Sequence, residues 1–310
     1  MPLLDAIRAL AEFDPPRALP QTDLALLADV LEAHGLAPLA SYHLESRPIG
    51  AGLPAQFREK LLTLYQGVVN DNVFKVMALR PALKQSQVPV VVLGGLAGID
   101  WLYPHVAFRP LGDLRLAVRE GDANRFAEAA RAADFAPAGL EAGGKVARFS
   151  DERISFTIQE GTFPGAAEDA GLFERATRVP AFGPKVFRPS AEDALLSTVA
   201  EQAEGGLYAP LISFVDLREI LRLVPPPDPH LVAERASSLG LARALHGSME
   251  LLAYFFPGVA EGARALQPSL PAAERLAAQA FLDSARDPAK LTHLRGAEAA
   301  ARLFFGPRQG

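Results

Sequence analysis

Apolar and polar positions follow three patterns along the chain: helical spacing, a continuous apolar run and strand alternation. The first 85 residues repeat at helical spacing. MPLLDAIRALAEFDPP carries Asp5 and Glu12 inside its apolar pattern, which predicts a short amphipathic helix rather than a signal peptide. Thr22 is placed to cap DLALLADVLEAHG, and Gly35 stands where a left-handed C-terminal cap belongs. A longer helix is expected after Pro54, through FREKLLTLYQGVVNDNVFKVMALRPALKQS. Leu61, Leu62, Tyr65, Val68, Val69 and Val73 would form its core stripe, and Pro81 would kink or break it. From Val88 the period changes. Val88 to Leu93 is a continuous apolar run, as in a strand buried on both faces. Gly94-Gly95 breaks that run, and LAGIDWLY reads as a short helix. DLRLAV, at 113–118, alternates like a half-buried strand, and Asp122 is placed to cap ANRFAEAARAAD. KVARFS at 145–150 and RISFTIQ at 153–159, joined at Asp151-Glu152, predict a hairpin.

Helical spacing returns beyond Ser190. Ser190 with Asp193 forms a cap signature before ALLSTVAEQAEGG, and LISFVDLREILRLV follows as a helix. PPPDP at 225–229 is a break, with Ala/Leu-rich helices expected around 230–248, 270–285 and 295–305. The expected fold is therefore α+β. A helical leader, 1–85, packs on an α/β core, 86–189, whose small mixed sheet has three to five strands; 190–310 forms a mainly helical C-terminal region. Composition agrees: 49% hydrophobic and 22% charged residues suit a globular protein of this length. The net charge of -5 gives no global attraction to phosphate backbones or anionic membranes, so neither nucleic acid nor membrane is predicted as a partner. There are no cysteines, which excludes disulfides and thiolate metal sites and fits a cytoplasmic location. The longest apolar region, Val88 to Tyr103, contains two glycines and Asp100 and is too short to span a bilayer. His34, His43, His105, His230, His246 and His293 show no metal-ligand spacing and read as surface or cap residues. No G-x-S-x-G run and no Walker loop occurs. Phe255-Phe256 and Phe304-Phe305 read as core or interface anchors.

The chemistry suggested by the sequence lies in its centre. VPVVVLGGLAGIDWLYP is followed by FRPLGDLRLAV and then by DANRFAEAARAADF. This succession resembles the bacterial uncharacterised nucleotidyltransferase family, within the DNA polymerase β-like superfamily. The glycines, Tyr103-Pro104, the run from Arg109 and Pro110 to Gly112 and Asp113, and the helix after the second strand carry the likeness. It covers about residues 85–160 and reaches more weakly into 190–221, where such proteins often have an aspartate in the place of Asp216. The resemblance implies a strand with two acidic residues at alternate positions, on one face, sharing divalent ions with a third acid from a neighbouring strand. It also implies a glycine turn whose backbone approaches phosphate.

This sequence departs from that pattern. Asp113 occupies the first acidic position and Arg115 the second. The third acid would fall most naturally at Ser155, and Thr157 stands where a histidine is often found. Gly94 replaces a frequent lysine, and Glu201 a frequent histidine. Asp113 and Arg115 sum to zero charge where a two-metal site presents roughly -2 to -3. The expectation is thus a nucleotidyltransferase-like protein without turnover, acting by binding a partner protein, a nucleotide or both, with no cofactor. Its phosphate-binding candidates are Gly94, Gly95, Arg109 and Arg115. The bland readings are a solvated ion pair for Asp113 and Arg115, a plain turn for the glycines, a loop pin for Arg109, and solvation for Lys185 and Arg188. The alternative function is a magnesium-dependent enzyme adding a nucleoside monophosphate to a protein or small molecule. Asp113 would then be catalytic, with Asp100 or Glu160 supplying a further acid.

Overall fold

The computed structural model describes residues 2–141, 146–161, 171–289 and 297–307. The leader forms α1 (Pro2–Ala11), α2 (Leu24–Ala33), α3 (Ala37–Ser46) and the long α4 (Ala55–Gln85). Two details differ from the sequence expectation, the cap of α2 and the place of Val73. Asp23 rather than Thr22 caps α2, its Oδ1 accepting from the amides of Ala25 and Leu26 at 2.9 and 3.1 Å. Pro81 stands inside α4, which continues to Gln85. Val73 is 41% exposed, beside exposed Phe74 and Met77, so the buried stripe of α4 does not include it.

The centre follows as β1 (Val90–Leu93), α5 (Gly94–Gly98), β2 (Leu114–Val118), α6 (Ala123–Ala132), β3 (Ala136–Glu141), β4 (Val146–Ser150) and β5 (Ser155–Glu160). Then come α7 (Leu172–Arg175), β6 (Thr177–Arg178), β7 (Val186–Arg188) and α8 (Ala191–Glu204). The strands form one mixed sheet in the order β3-β4-β5-β2-β1-β7-β6. β2 lies antiparallel to β1 and parallel to β5, while β1 and β7 are parallel. The sheet has seven strands rather than three to five. The extra members are short edge pieces or, in β3, carry Pro137 and Gly139, and the β3–β4 register shifts between those two residues. Proline and glycine hide an edge strand from pattern reading, because an edge tolerates a lost ladder bond and a bulge. The hairpin from β4 to β5 forms as expected. Asp151 Oδ1 accepts from the amides of Arg153 and Ile154 at 2.8 and 2.7 Å. Lys145, the first residue of the expected strand, lies outside the described residues.

Alternation assigns the two faces of the central strands. Leu114, Leu116, Val118, Phe156 and Ile158 are all buried on one face. There Phe156 meets Phe135 of the loop after α6, Phe149 of β4 and Phe126 of α6 at ring distances of 4.9, 5.6 and 6.3 Å. Asp122 precedes α6 but makes no side-chain cap; its carboxylate pairs with Arg125 at 2.9 Å instead. The Ser190–Asp193 cap is present, with the Asp193 amide 3.2 Å from Ser190 Oγ and that hydroxyl 3.0 Å from Asp193 Oδ2.

The C-terminal half is helical: α9 (Leu211–Leu221), α10 (Pro229–Ser238), α11 (Ala242–Phe255), α12 (Ala260–Leu266), α13 (Ala272–Ala285) and α14 (Ala297–Phe305). The stretch expected as one helix at 230–248 is two, parted at Gly240, whose φ of +67° a helix cannot continue through. Residues 295–296 of the last expected helix lie outside the described residues. Phe255, Phe256 and Phe305 are buried, so both Phe pairs contribute core anchors. Among the described residues no helix is long and apolar enough to cross a membrane.

The chain divides into two compact units. Met1–Val69, Leu102–Pro110 and Thr198–Gly310 form the first, and Asn70–Trp101 with Leu111–Ser197 the second, which holds the sheet. Within the first unit α11 packs on α9, α12, α13 and α14. Three of the histidines expected at the surface or at caps are buried in this unit, His34, His43 and His246. His34 Nδ1 accepts from the Leu211 amide at 3.1 Å and its carbonyl accepts from the Ile212 amide at 3.2 Å, so it caps the start of α9 across sequence. Its other ring nitrogen donates to the Pro288 carbonyl at 2.8 Å, which holds the neutral tautomer, and burial pushes its pKa down. His43 is fully buried, and burial pulls it to about 4.

A folded pKa below the unfolded value of 6.5 means that the unfolded chain binds the extra proton first. Stability is thus complete above about pH 6.5 and falls as pH drops towards 4, by about 3 kcal/mol for His43 alone. Urea unfolding of wild type and His43→Leu at pH 8 and pH 4.5 checks this. The variant is expected to lose much less stability between the two pH values.

Candidate functional site

The candidate site lies on the second face of the sheet. Register places Leu93 of β1 opposite Arg115 of β2, and Arg115 opposite Thr157 of β5. Thr157 is in turn opposite Arg148 of β4. Directly opposed residues share a face, so Leu93, Arg115, Thr157 and Arg148 form one row across four strands. The face changes character along this direction. Towards β7 it is apolar: Val91, Leu93, Ala117 and Leu172 form a buried cluster, with Phe173, Ala176 and Phe187 packed against it. Towards β4 it is polar: Thr157 and Gln159 are buried at 7% and 2% exposure, while Arg115 and Arg148 are half-buried.

α7 covers the apolar part and is held by charge. Arg119 lies 3.0 Å from Glu174 and stacks over Phe173 at 4.7 Å from its centroid. Arg175 makes a two-point contact with the Asp193 carboxylate at 3.0 and 3.2 Å. Since Asp193 also belongs to the cap of α8, the cover is tied to a helix start.

The sequence candidates occupy different parts of this arrangement. Gly94 and Gly95 end β1 and open α5, one residue beyond Leu93 in the row. Gly94 has φ of +55°, a conformation that a side chain would strain, so the strand-to-helix turn requires glycine there. Asp113 immediately precedes β2 and is exposed; among the described residues it forms no ion pair with Arg115. Ser155 starts β5 opposite Ser150, whereas Thr157 is the residue aligned with Arg115. Glu160 is aligned with Val118, at the end of β2 away from Asp113, and its Oε1 accepts from the Gly121 amide at 2.9 Å. Asp100 lies 3.9 Å from Arg188, whose guanidinium stacks over Trp101 at 4.9 Å. Lys185 donates to the Gln87 carbonyl at 2.5 Å, so both cations from that connection have protein partners.

Arg109 belongs to the first unit. Its Nη2 and Nε reach Asp216 Oδ2 at 2.8 and 3.2 Å, and its Nη1 donates to the Pro110 carbonyl at 2.7 Å. Tyr103 donates to the other oxygen of Asp216 at 2.5 Å. Arg109 and Asp216 side chains are 11% and 7% exposed. Burial works against the Arg109 charge, but the Asp216 carboxylate beside it outweighs that and raises the guanidinium above its ordinary value. Burial first, and then the same carboxylate, raise the Tyr103 phenol well above the usual range. Tyr103, Arg109 and Asp216, three residues of the motif, thus converge in one buried network.

The chain belongs to the uncharacterised nucleotidyltransferase family, whose model matches residues 20–257. No curated protein and no solved structure matches it. The match spans most of both units, and the row on β1, β2, β4 and β5 lies within it.

Divalent ions would need converging oxygen or nitrogen donors. Among the described residues no group of three His, Cys, Asp or Glu side chains converges, and His293 lies outside them. At the second acidic position a guanidinium stands between Leu93 and Thr157. This donor set does not fit a pair of divalent cations. Arg148, which sequence reading did not single out, enters the row through strand register. Its only sequence signal was a polar slot in the alternation of KVARFS.

Removing one partner of the Arg109–Asp216 pair leaves a buried charge alone and should cost about 3 kcal/mol or more. Urea unfolding of Asp216→Ala, Arg109→Ala and the double variant measures it. The double variant is expected to be far less destabilised than the sum of the singles.

Proposed function

We propose that this family member binds a phosphate-bearing ligand, a nucleotide foremost, without metal and without nucleotidyl transfer. The observation that carries the reading is Arg115 aligned between Leu93 and Thr157, at the position where a metal-dependent relative needs a carboxylate. A guanidinium there repels a divalent cation and attracts the phosphate that the cation would have neutralised. Asp113 alone leaves the pair neutral, so the site lacks the excess negative charge that gathers metal ions. The glycine turn at the end of β1 lies next to the row and carries no side chain of its own. Arg109 is not part of this reading, since its guanidinium is engaged by Asp216 within the first unit.

Thermal unfolding with a panel of nucleoside triphosphates, in magnesium and then in EDTA, tests the proposal. A ligand at 100 times its dissociation constant adds about 2.7 kcal/mol. The expected outcome is stabilisation that persists in EDTA and disappears in Arg115→Ala. Stabilisation that requires magnesium, together with labelled nucleotide incorporation lost in Asp113→Asn, would sink it in favour of an active transferase. No shift with any nucleotide would also sink it, and would point to a protein-binding scaffold.

A further inference from the structure

Three features of the second unit bear on what the row can hold. Arg115 and Arg148 are both aligned with Thr157, one from each neighbouring strand. Two strand spacings separate their Cα atoms, roughly 10 Å, and both project from the same face. Between them lies Thr157, with Gln159 two residues further along β5; both are buried polar side chains where β-sheet cores ordinarily carry apolar ones. Gln159 donates to the Gly161 carbonyl at 3.2 Å, which fixes it beside the row.

We infer that Arg115 and Arg148 together form a two-guanidinium clamp for the di- or triphosphate of the ligand, seated over Thr157. This inference rests on the metal-free binding reading and adds a second cation and a ligand class to it. Arg115 and Arg148 bring two guanidinium groups to the row where a metal site would bring carboxylates. Guanidinium groups meet non-bridging phosphate oxygens in fork geometry, and two forks about a spacing of this size engage adjacent phosphoryl groups better than one. The Thr157 hydroxyl can donate to the same oxygens. Arg115 and Arg148 each keep a contact within the fold, so the ligand joins or displaces an existing partner. A polyphosphate, with its higher charge, therefore competes better than inorganic phosphate.

The test is calorimetric titration of the full chain with inorganic tripolyphosphate in EDTA, with inorganic phosphate as comparator. The variants are Arg115→Ala, Arg148→Ala, Arg148→Lys and the control Arg131→Ala, which changes an exposed residue of α6. Wild type should bind tripolyphosphate more tightly than phosphate. Arg115→Ala and Arg148→Ala should each weaken binding by about tenfold or more, and Arg131→Ala should not change it. Arg148→Lys should fall between wild type and Arg148→Ala, because charge is kept and the fork is lost. The unliganded unfolding midpoint checks each fold; should Arg148→Ala be unfolded, Arg148→Lys and Arg148→Gln decide by the same ordering. Binding by Arg148→Ala within about twofold of wild type, with Arg115→Ala impaired, would overturn the clamp and leave single-arginine binding standing. Absence of binding by wild type would overturn both.

Discussion

The second unit is organised around the pairing of β2, which lies antiparallel to β1 on one side and parallel to β5 on the other. Because strand side chains alternate, one register sets both faces at once. It turns Leu114, Leu116 and Val118 into the core with Phe156 and Ile158, and it presents Arg115 on the other face. A slip of one residue would put the guanidinium among phenylalanines and move three aliphatic side chains to the other face. The apolar core therefore holds Arg115 in its place, and no dedicated contact to a ligand is needed for that. The polar half of the second face follows from the same register, since Thr157 and Arg148 are aligned with Arg115 through β5 and β4.

The first unit solves a different problem, that of keeping charges inside a helical core. Arg109 and Arg218 are both nearly or wholly buried, and each is surrounded by acceptors. Arg218 reaches Glu219 at 2.6 Å and the Ala11 carbonyl at 2.8 Å, and its guanidinium lies 4.9 Å from the Phe256 ring centroid. Burying such groups is costly, and the cost is offset only where the geometry satisfies several donors together. Asp216 accepts from both Arg109 and Tyr103, which makes it the hub of its network. Arg109, a phosphate-binding candidate in the sequence, therefore has a structural role, and Tyr103 and Asp216, which carried the resemblance with it, belong to the same network.

The covering helix α7 shows how the two halves of the sheet face differ in chemistry. Leu172 and Phe173 close the apolar half, and the flanking Glu174 and Arg175 each find a partner of opposite charge. In the polar half Thr157 and Gln159 are buried as well, with Arg115 and Arg148 half-buried on either side of Thr157.

The sequence by itself determined the α+β class, the helical C-terminal half and the family. Helical and strand periods, the Ser190–Asp193 cap and the turn at Asp151 are local, and local spacing carries them. Tertiary structure decided the rest. β3 is disguised by Pro137 and Gly139, and β6 and β7 are too short for any period to register, so the seven-stranded sheet was not legible. His34 caps α9 from 177 positions away, and Arg148 meets the row only because β4 pairs with β5. Periodicity reports which face a residue prefers. Which distant residue shares that face is set by the pairing of strands and the packing of helices, and no spacing along one chain encodes it.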